Sequence, residues 1–217
     1  MSKDRDLVTA LLDRHGRTYA EEAGIRLADR PEPLYQLLVL TTVLSTRIRA
    51  GMGIAAAREL FATGYRTPQG MAKASWQERV DALGRGHYRR YDERTATMLG
   101  KGAQLCLDRW QGDLRRLHVD ADGDVRTLRA SLDEFAGIGA TGADIFLREV
   151  QVVWADVRPY VDRRVIAGAQ RLRLPESAEK LAALVDGSDF PRLASALVRV
   201  SLDGKLADEM TGAAVPR

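Results

Sequence analysis

A glycine turn between two apolar helical runs is the feature that most constrains this fold. Gly137-Ile138-Gly139 follows an apolar run that ends at Phe135 and precedes a second apolar run that begins at Ala143. Glycine tolerates the positive φ angles that a tight turn requires, and it lets a neighbouring backbone approach closely. The pattern therefore predicts two helices joined by a compact hairpin, with Ile138 inserted between them.

The same turn predicts an anion site. The first amides of a helix have no acceptor within the helix, and the helix dipole adds positive potential at that end. Such a terminus suits a phosphate group. We therefore expect the backbone of residues 137–142 to bind phosphate. A purely structural connector between two helices is the alternative interpretation of the turn.

An aspartate follows the hairpin at a predicted helix start. Asp162 comes after Tyr160 and Val161 and before Arg163. An aspartate in this position can cap the helix by accepting hydrogen bonds from its free amides. The other interpretation is a catalytic carboxylate, which would have to face an open groove. Both interpretations stay open at the level of the sequence.

These segments, in this order, resemble the helix-hairpin-helix DNA glycosylases, the superfamily of endonuclease III and adenine glycosylase. The family hairpin reads roughly L-P-G-(V/I)-G-x-x-(T/G)-A, and residues 135–143 read FAGIGATGA. The family's catalytic aspartate lies in V-D-x-x-V, and residues 161–165 read VDRRV. Residues 34–61 resemble the family's buried helix and the helix after it. Residues 86–105 (GHYRRYDERTATMLGKGAQL) resemble a segment that reads G-(L/F)-Y-x-x-K-A-x-x-(I/L).

The resemblance implies an all-α fold of two helical domains. Residues 32–150 would form one domain, which contains the helix-hairpin-helix motif at about 126–150. Residues 1–31 and 151–217 would form the second domain, which carries Asp162. Double-stranded DNA would bind in a cleft between the two. Helical periodicity alone indicates only an all-α protein.

The resemblance also implies a reaction, the hydrolysis of the N-glycosidic bond of a damaged or mismatched base in double-stranded DNA. Asp162 would be the catalytic residue, because a nearby carboxylate stabilises the positive charge that develops on the sugar. Arg47 would fill the gap left by the extruded base, unless it is simply a solvated surface arginine. The implied DNA contacts are Gly137, Ile138, Gly139, Ala140, Thr141, Gly142, Arg47 and Arg163.

The sequence departs from the family where bifunctional members carry a lysine that forms a Schiff base with the sugar. Thr141 stands at that position, two residues after Gly139, and no lysine occurs between Lys101 and Lys180. Threonine cannot form this adduct. We therefore expect a monofunctional glycosylase that leaves an abasic site without cleaving the strand.

Two functional alternatives remain. One is a relative that binds DNA without catalysis, which the acidic Asp144 close to the expected phosphate site keeps open. The other is a helical protein–protein interaction module, whose binding would not weaken with salt as phosphate contacts do. The sequence does not identify the lesion or the oligomeric state.

No resident cofactor is expected beyond a monovalent cation on the hairpin carbonyls, as in the family. The single cysteine, Cys106, excludes an iron–sulfur cluster with four thiolate ligands, which many endonuclease III relatives carry. The three histidines, His15, His87 and His118, lack the spacing of a zinc site.

Charge and hydropathy set weaker limits. The net charge of +3 and the pI of about 9.2 permit a polyanionic partner without requiring one. No apolar run is long enough for a membrane span, and the N-terminus lacks a signal-peptide pattern. We therefore expect a cytoplasmic protein without a membrane partner.

Two further segments allow two interpretations each. Residues 120–124 (DADGD) resemble a calcium loop, but Ser131 stands where an EF-hand needs its glutamate, so an acidic turn followed by a helix cap at Asp124 is favoured. Residues 85–91 (RGHYRRY) mix basic and aromatic side chains. They either follow a nucleic-acid backbone or form a solvated loop that Tyr88 anchors in the core.

Helix starts and one buried helix are also predicted. Residues 34–44 are almost wholly apolar and should form the central buried helix, preceded by a connector at residues 24–33. Thr67 and Pro68 should begin a short helix, and Ser75 with Glu78 should form a capping box.

Overall fold

The computed structural model describes residues 2–212 of the 217-residue chain. The fold is all-α as predicted, and no β-strand occurs within this described part. Nor is any helix there long and apolar enough to cross a membrane. The helices are α1 (Ser2–His15), α2 (Tyr19–Glu22), α3 (Pro31–Leu44), α4 (Ala50–Ala62), α5 (Pro68–Lys73), α6 (Trp76–Arg85), α7 (Asp92–Trp110), α8 (Leu114–Ala121), α9 (Val125–Asp133), α10 (Gly139–Val150), α11 (Arg163–Arg171), α12 (Ala178–Ala182), α13 (Phe190–Leu202) and α14 (Gly204–Thr211).

The chain divides into two compact units. The larger unit is Ala20–Trp154, and the smaller comprises the described residues of Met1–Tyr19 and Ala155–Arg217. The larger unit thus includes residues 20–31 and 151–154, which the family resemblance assigned to the other domain. The chain enters the smaller unit at Ala155, after α10.

Residues 20–31 belong to the larger unit because they are bonded to the end of α10. The Ala20 amide donates to the buried Glu149 carboxylate over 2.8 Å. The indole nitrogen of Trp154 donates to Asp29 over 3.0 Å. His118 of α8 stacks on the same Trp154 ring, with 4.1 Å between ring centroids. The bonds to Glu149 and Trp154 were not predictable from local sequence, because they join residues more than a hundred positions apart.

The central buried helix is confirmed as α3, which packs against α4 and α10. Side chains on all its faces are buried, which is the environment that its apolar sequence predicts. The helix begins at Pro31, inside the stretch predicted as a connector. The predicted connector is therefore too long at its end. Proline is tolerated in the first turn of a helix, because the amide that it lacks would have no partner within the helix there.

The predicted helix starts at α5 and α6 are also confirmed. The Thr67 hydroxyl accepts a hydrogen bond from the Gly70 amide over 3.1 Å. Ser75 and Glu78 form the reciprocal capping box, each side chain accepting from the other residue's amide. The short helices α8 and α14 were not predicted, because each adds only a narrow apolar stripe to neighbouring helices.

A buried arginine ties α6 to its neighbours. Arg79 donates to the carbonyls of Met71 and Ala74 at the end of α5, and to the carbonyl of Ala96 in α7. Carbonyls at a helix end carry partial negative charge, so they offset the cost of burying the guanidinium group. The hydrogen bonds of Arg79 therefore connect α6 to both α5 and α7.

In the smaller unit, α11 and α13 cross at very short range. A Cβ atom on Gly168 of α11 would lie 2.0 Å from the Leu197 carbonyl oxygen, so only glycine fits there. Arg199 of α13 lies over the Tyr19 ring, 4.5 Å from its centroid, and donates to the Arg17 carbonyl. The crossing fixes the direction of α11, whose first residue follows Asp162.

Candidate functional site

The structure contains the helical hairpin that the glycine turn predicts. α9 ends at Asp133 and α10 begins at Gly139. Gly137 and Gly139 have φ angles of +87° and +48°, the region that favours glycine. Ile138 is 1% exposed and fills the space between the two helices. The two glycines therefore allow the backbone of the turn, and the buried Ile138 side chain packs it against the two helices.

Three backbone amides at the start of α10 lie before the first hydrogen bond of the helix. That first bond runs from the Gly142 amide to the Ile138 carbonyl over 2.8 Å. Gly139, Ala140 and Thr141 precede it, and all three residues are exposed. Their amides point out of the helix start, where the helix dipole favours negative charge.

The amides of Gly142 and Ile138 are used inside the hairpin. The amide of Gly142 is used inside the helix, and that of Ile138 donates to the Phe135 carbonyl over 3.0 Å. Both residues are buried. They shape the turn, while the amides of the exposed Gly139, Ala140 and Thr141 lie at the start of α10.

The loop between α3 and α4 lies directly against this helix start. A Cβ atom on Gly142 would stand 2.6 Å from the Ser45 hydroxyl oxygen, so the Ser45 side chain packs against α10 where residue 142 has no side chain. Arg47 is exposed in the same loop. The structure thus brings the predicted Arg47 and the predicted hairpin together, through a Ser45 contact that no local pattern indicates.

Acidic side chains around the hairpin are mostly paired with arginines. Asp144 forms an ion pair with Arg129 of α9, and Glu134 forms one with Arg109 of α7. The negative charge of Asp144 is therefore offset locally. Asp133 is exposed, and its carboxylate lies 4.0 Å from where a Cβ on Gly139 would be. A phosphate at this turn would meet the Asp133 charge.

Asp162 is the N-cap of α11. Its Oδ1 atom accepts hydrogen bonds from the amides of Arg164 over 2.7 Å and Val165 over 3.1 Å. The residue is 8% exposed, so the carboxylate lies against the start of its own helix. The helix-cap interpretation accounts for this geometry. Arg163, the first residue of the helix, is exposed.

The loop between α6 and α7 is anchored by a tyrosine. The Tyr88 hydroxyl lies 2.7 Å from the Thr46 hydroxyl and 3.0 Å from the Thr95 hydroxyl, and Tyr88 is 1% exposed. Burial raises the pKa of Tyr88, so the hydroxyl stays protonated. Arg89 and Arg90, which follow this anchor along the chain, are exposed. Tyr88 therefore anchors this loop in the core, as one of the two interpretations of residues 85–91 predicted.

The remaining candidates are structural. Cys106 is fully buried, and burial raises the pKa of its thiol to about 12, so the thiol is protonated. In the acidic segment 120–124, Asp124 caps α9 by accepting from the Arg126 amide, and Asp120 accepts from the Trp110 indole. Among the described residues, no cluster of histidine, cysteine and carboxylate side chains is suited to a metal ion.

Comparison with known proteins adds the fold relationship. No protein-family model matches the chain, and none of the curated proteins matches it in sequence. The chain is similar to a solved structure of a trapped endonuclease III–DNA covalent intermediate, an estranged-adenine complex. The match has a TM-score of 0.55 at 15% identity, and it covers 91% of this chain and 84% of the other. The protein has an endonuclease III-like fold.

Replacing Gly137 with alanine should destabilise the protein more than replacing Gly139. Either alanine would be held at positive φ, which costs roughly 1 to 2 kcal/mol. At position 137 the new methyl group would also lie 2.4 Å from the Met98 sulfur, whereas at 139 the nearest side-chain atom is 4.0 Å away. Urea unfolding of the two variants measures the difference.

The double variant Gly137→Ala/Met98→Ala is the matched control, because it removes the sulfur that alanine would meet. It should lose less stability than the sum of its two single changes. Equal losses in the free energy of unfolding for Gly137→Ala and Gly139→Ala would contradict the packing described for this turn.

Proposed function

We propose that this protein binds double-stranded DNA through the start of α10. The observation that carries the proposal is the exposed row of amides at Gly139, Ala140 and Thr141, behind a turn whose glycines let a phosphate approach. The fold supports it, since a protein of similar fold has been solved in complex with DNA. The pairing of Asp144 with Arg129 offsets one of the two acidic charges near the hairpin, and the charge of Asp133 remains.

The reaction proposed for this site is base excision. Hydrolysis of the N-glycosidic bond builds positive charge on the deoxyribose, and a carboxylate close to the sugar stabilises that charge. Asp162 would supply the carboxylate, and its Oδ1 atom also accepts hydrogen bonds from the first amides of α11. Arg163 and Arg47 would contact the DNA, with Arg47 occupying the space of the extruded base. Damaged or mismatched bases in duplex DNA are the proposed substrate class.

A DNA-binding protein without catalysis is the second candidate. The observation that favours it is the placement of Asp162, whose carboxylate is 8% exposed and caps α11. A cap of this kind is sufficient reason for an aspartate at a helix start. The two candidates share the DNA site and differ only in the chemistry of one side chain.

The proposed enzyme needs no iron–sulfur cluster, and the chain could not hold one of the usual type. Four thiolates are required, and Cys106 is the one cysteine in the sequence. A monovalent cation is proposed at the hairpin. Carbonyls of the hairpin, residues 137–142, would hold it. The cation would add positive charge beside the phosphate.

Replacing Asp162 with asparagine separates the two candidates. Asparagine keeps an oxygen that can cap α11, so the fold should survive while the negative charge is lost. For an enzyme we expect base release to fall on the order of 100-fold or more, with DNA affinity nearly unchanged. The measurement scores abasic sites on a panel of duplexes, each with one oxidised pyrimidine, alkylated purine or mismatched pyrimidine.

Asp124→Asn is the matched control for this experiment. Asp124 caps α9 with the same geometry, accepting from the amide two residues on, and it has no proposed role in chemistry. Its variant should release bases at the wild-type rate. Base release by Asp162→Asn that equals that of Asp124→Asn would remove Asp162 from the reaction.

The absence of a hairpin lysine predicts that the protein forms no covalent adduct with DNA. We expect borohydride to trap nothing on a duplex that contains a preformed abasic site, because Thr141 has no amine. Thr141→Lys should become trappable, since residue 141 is exposed and belongs to the proposed phosphate site. An adduct with the wild-type protein, seen by gel shift under denaturing conditions, would contradict the monofunctional assignment.

A further inference from the structure

Three hydroxyl groups in the larger unit form a buried hydrogen-bonded network, which we call the hydroxyl triad. It consists of Thr46 in the α3–α4 loop, Tyr88 in the α6–α7 loop and Thr95 in the first turns of α7. Tyr88 lies at its centre and also reaches the Val43 carbonyl at 3.4 Å. The triad holds two loops and a helix at fixed positions relative to each other.

Each member of the hydroxyl triad is next to an exposed arginine in the sequence. Arg47 follows Thr46, Arg89 follows Tyr88 and Arg94 precedes Thr95. Consecutive Cα atoms are about 3.8 Å apart, so the three arginines start from backbone positions that the triad brings together. Exposed Arg49 and Arg90 extend the same two loops. We refer to these five residues as the arginine surface.

The arginine surface is not neutralised by the protein. Within the described residues, none of its five guanidinium groups forms an ion pair. Arg90 lies over the Tyr91 ring, 5.3 Å from its centroid. The nearest acidic residues in sequence are Asp92 and Glu93, and the Asp92 carboxylate accepts from the Glu93 amide. Positive charge therefore exceeds negative charge across the two loops.

The surface adjoins the start of α10. Ser45 precedes Thr46, and its hydroxyl occupies the space beside Gly142 where a Cβ would be. The amides of Gly139, Ala140 and Thr141 lie less than one turn before Gly142. The arginine surface and the hairpin amides are thus neighbouring parts of one unit, and a chain of phosphates could contact both.

We propose that the arginine surface is a second binding site for the sugar–phosphate backbone of nucleic acid, with Arg89 and Arg90 as its main contacts. The inference rests on the proposed DNA binding and extends it to residues outside the hairpin and Arg47. Phosphate suits the surface because a planar guanidinium group donates two parallel hydrogen bonds to it. A protein partner suits it less, since interface cores are depleted in charge and rich in apolar side chains.

The double variant Arg89→Gln/Arg90→Gln tests the proposal. Affinity for a short labelled duplex is measured by fluorescence anisotropy over a range of salt concentrations. The slope of log affinity against log salt should fall by about 1 for each phosphate that is no longer neutralised, hence by about 2 for the pair. Binding at low salt should weaken several-fold, and the unfolding midpoint should stay at its wild-type value because both side chains are exposed.

Arg26→Gln/Arg30→Gln is the matched control, since it removes the same charge from exposed arginines of the same unit. These two residues belong to the segment bonded to Glu149 and Trp154, beyond the far end of α10. At a rise of about 1.5 Å per residue, that end is roughly 16 Å from Gly139. The control should keep the wild-type slope.

The outcomes distinguish this inference from the proposed function. A wild-type protein that fails to bind duplex DNA overturns both. A wild-type protein that binds, with equal salt slopes for the Arg89/Arg90 and Arg26/Arg30 variants, overturns the arginine surface and leaves the hairpin proposal standing.

Discussion

The close approach of α10 to the α3–α4 loop is the constraint on which the rest of the site depends. It exists because Gly142 has no side chain where the Ser45 hydroxyl lies, 2.6 Å from the position of a Cβ. On the other side of the turn, Gly137 has no side chain where the Met98 sulfur lies, 2.4 Å from the position of a Cβ. These contacts hold the start of α10 between a loop and a long helix, and they leave its first amides facing outward. A side chain at residue 142 would have to displace the side chains of Ser45 and Ile138 that pack there.

Much of the fold was predictable because it depends on local physical chemistry. The glycine turn, the Ser75 capping box and the apolar α3 each follow from a few adjacent residues whose preferences agree. The contacts that assemble the site were not predictable, because they join residues that are distant in sequence. Ser45 against Gly142 and Tyr88 with Thr46 are examples. Ser45, Tyr88 and Thr46 are common residue types, and only the packing of the helices brings them to the site.

Asp162 illustrates the limit of a sequence motif. The Asp162 carboxylate accepts hydrogen bonds from the first amides of α11, which is a structural role, and the sequence pattern V-D-x-x-V by itself predicted a catalytic one. A helix cap and a catalytic group both favour an aspartate, so the residue type does not separate them. Arg79 shows the opposite case, since its burial against three carbonyls leaves a structural role only.

In the proposed function, a phosphate of DNA binds the amides at the start of α10. The most direct measurement follows the backbone amide resonances of isotope-labelled protein while a short undamaged duplex is added. We expect the amide resonances of Gly139, Ala140 and Thr141 to shift early in the titration, and the shifts to diminish as salt rises. Shifts confined to other surfaces, with these three amides unmoved at saturating DNA, would contradict it.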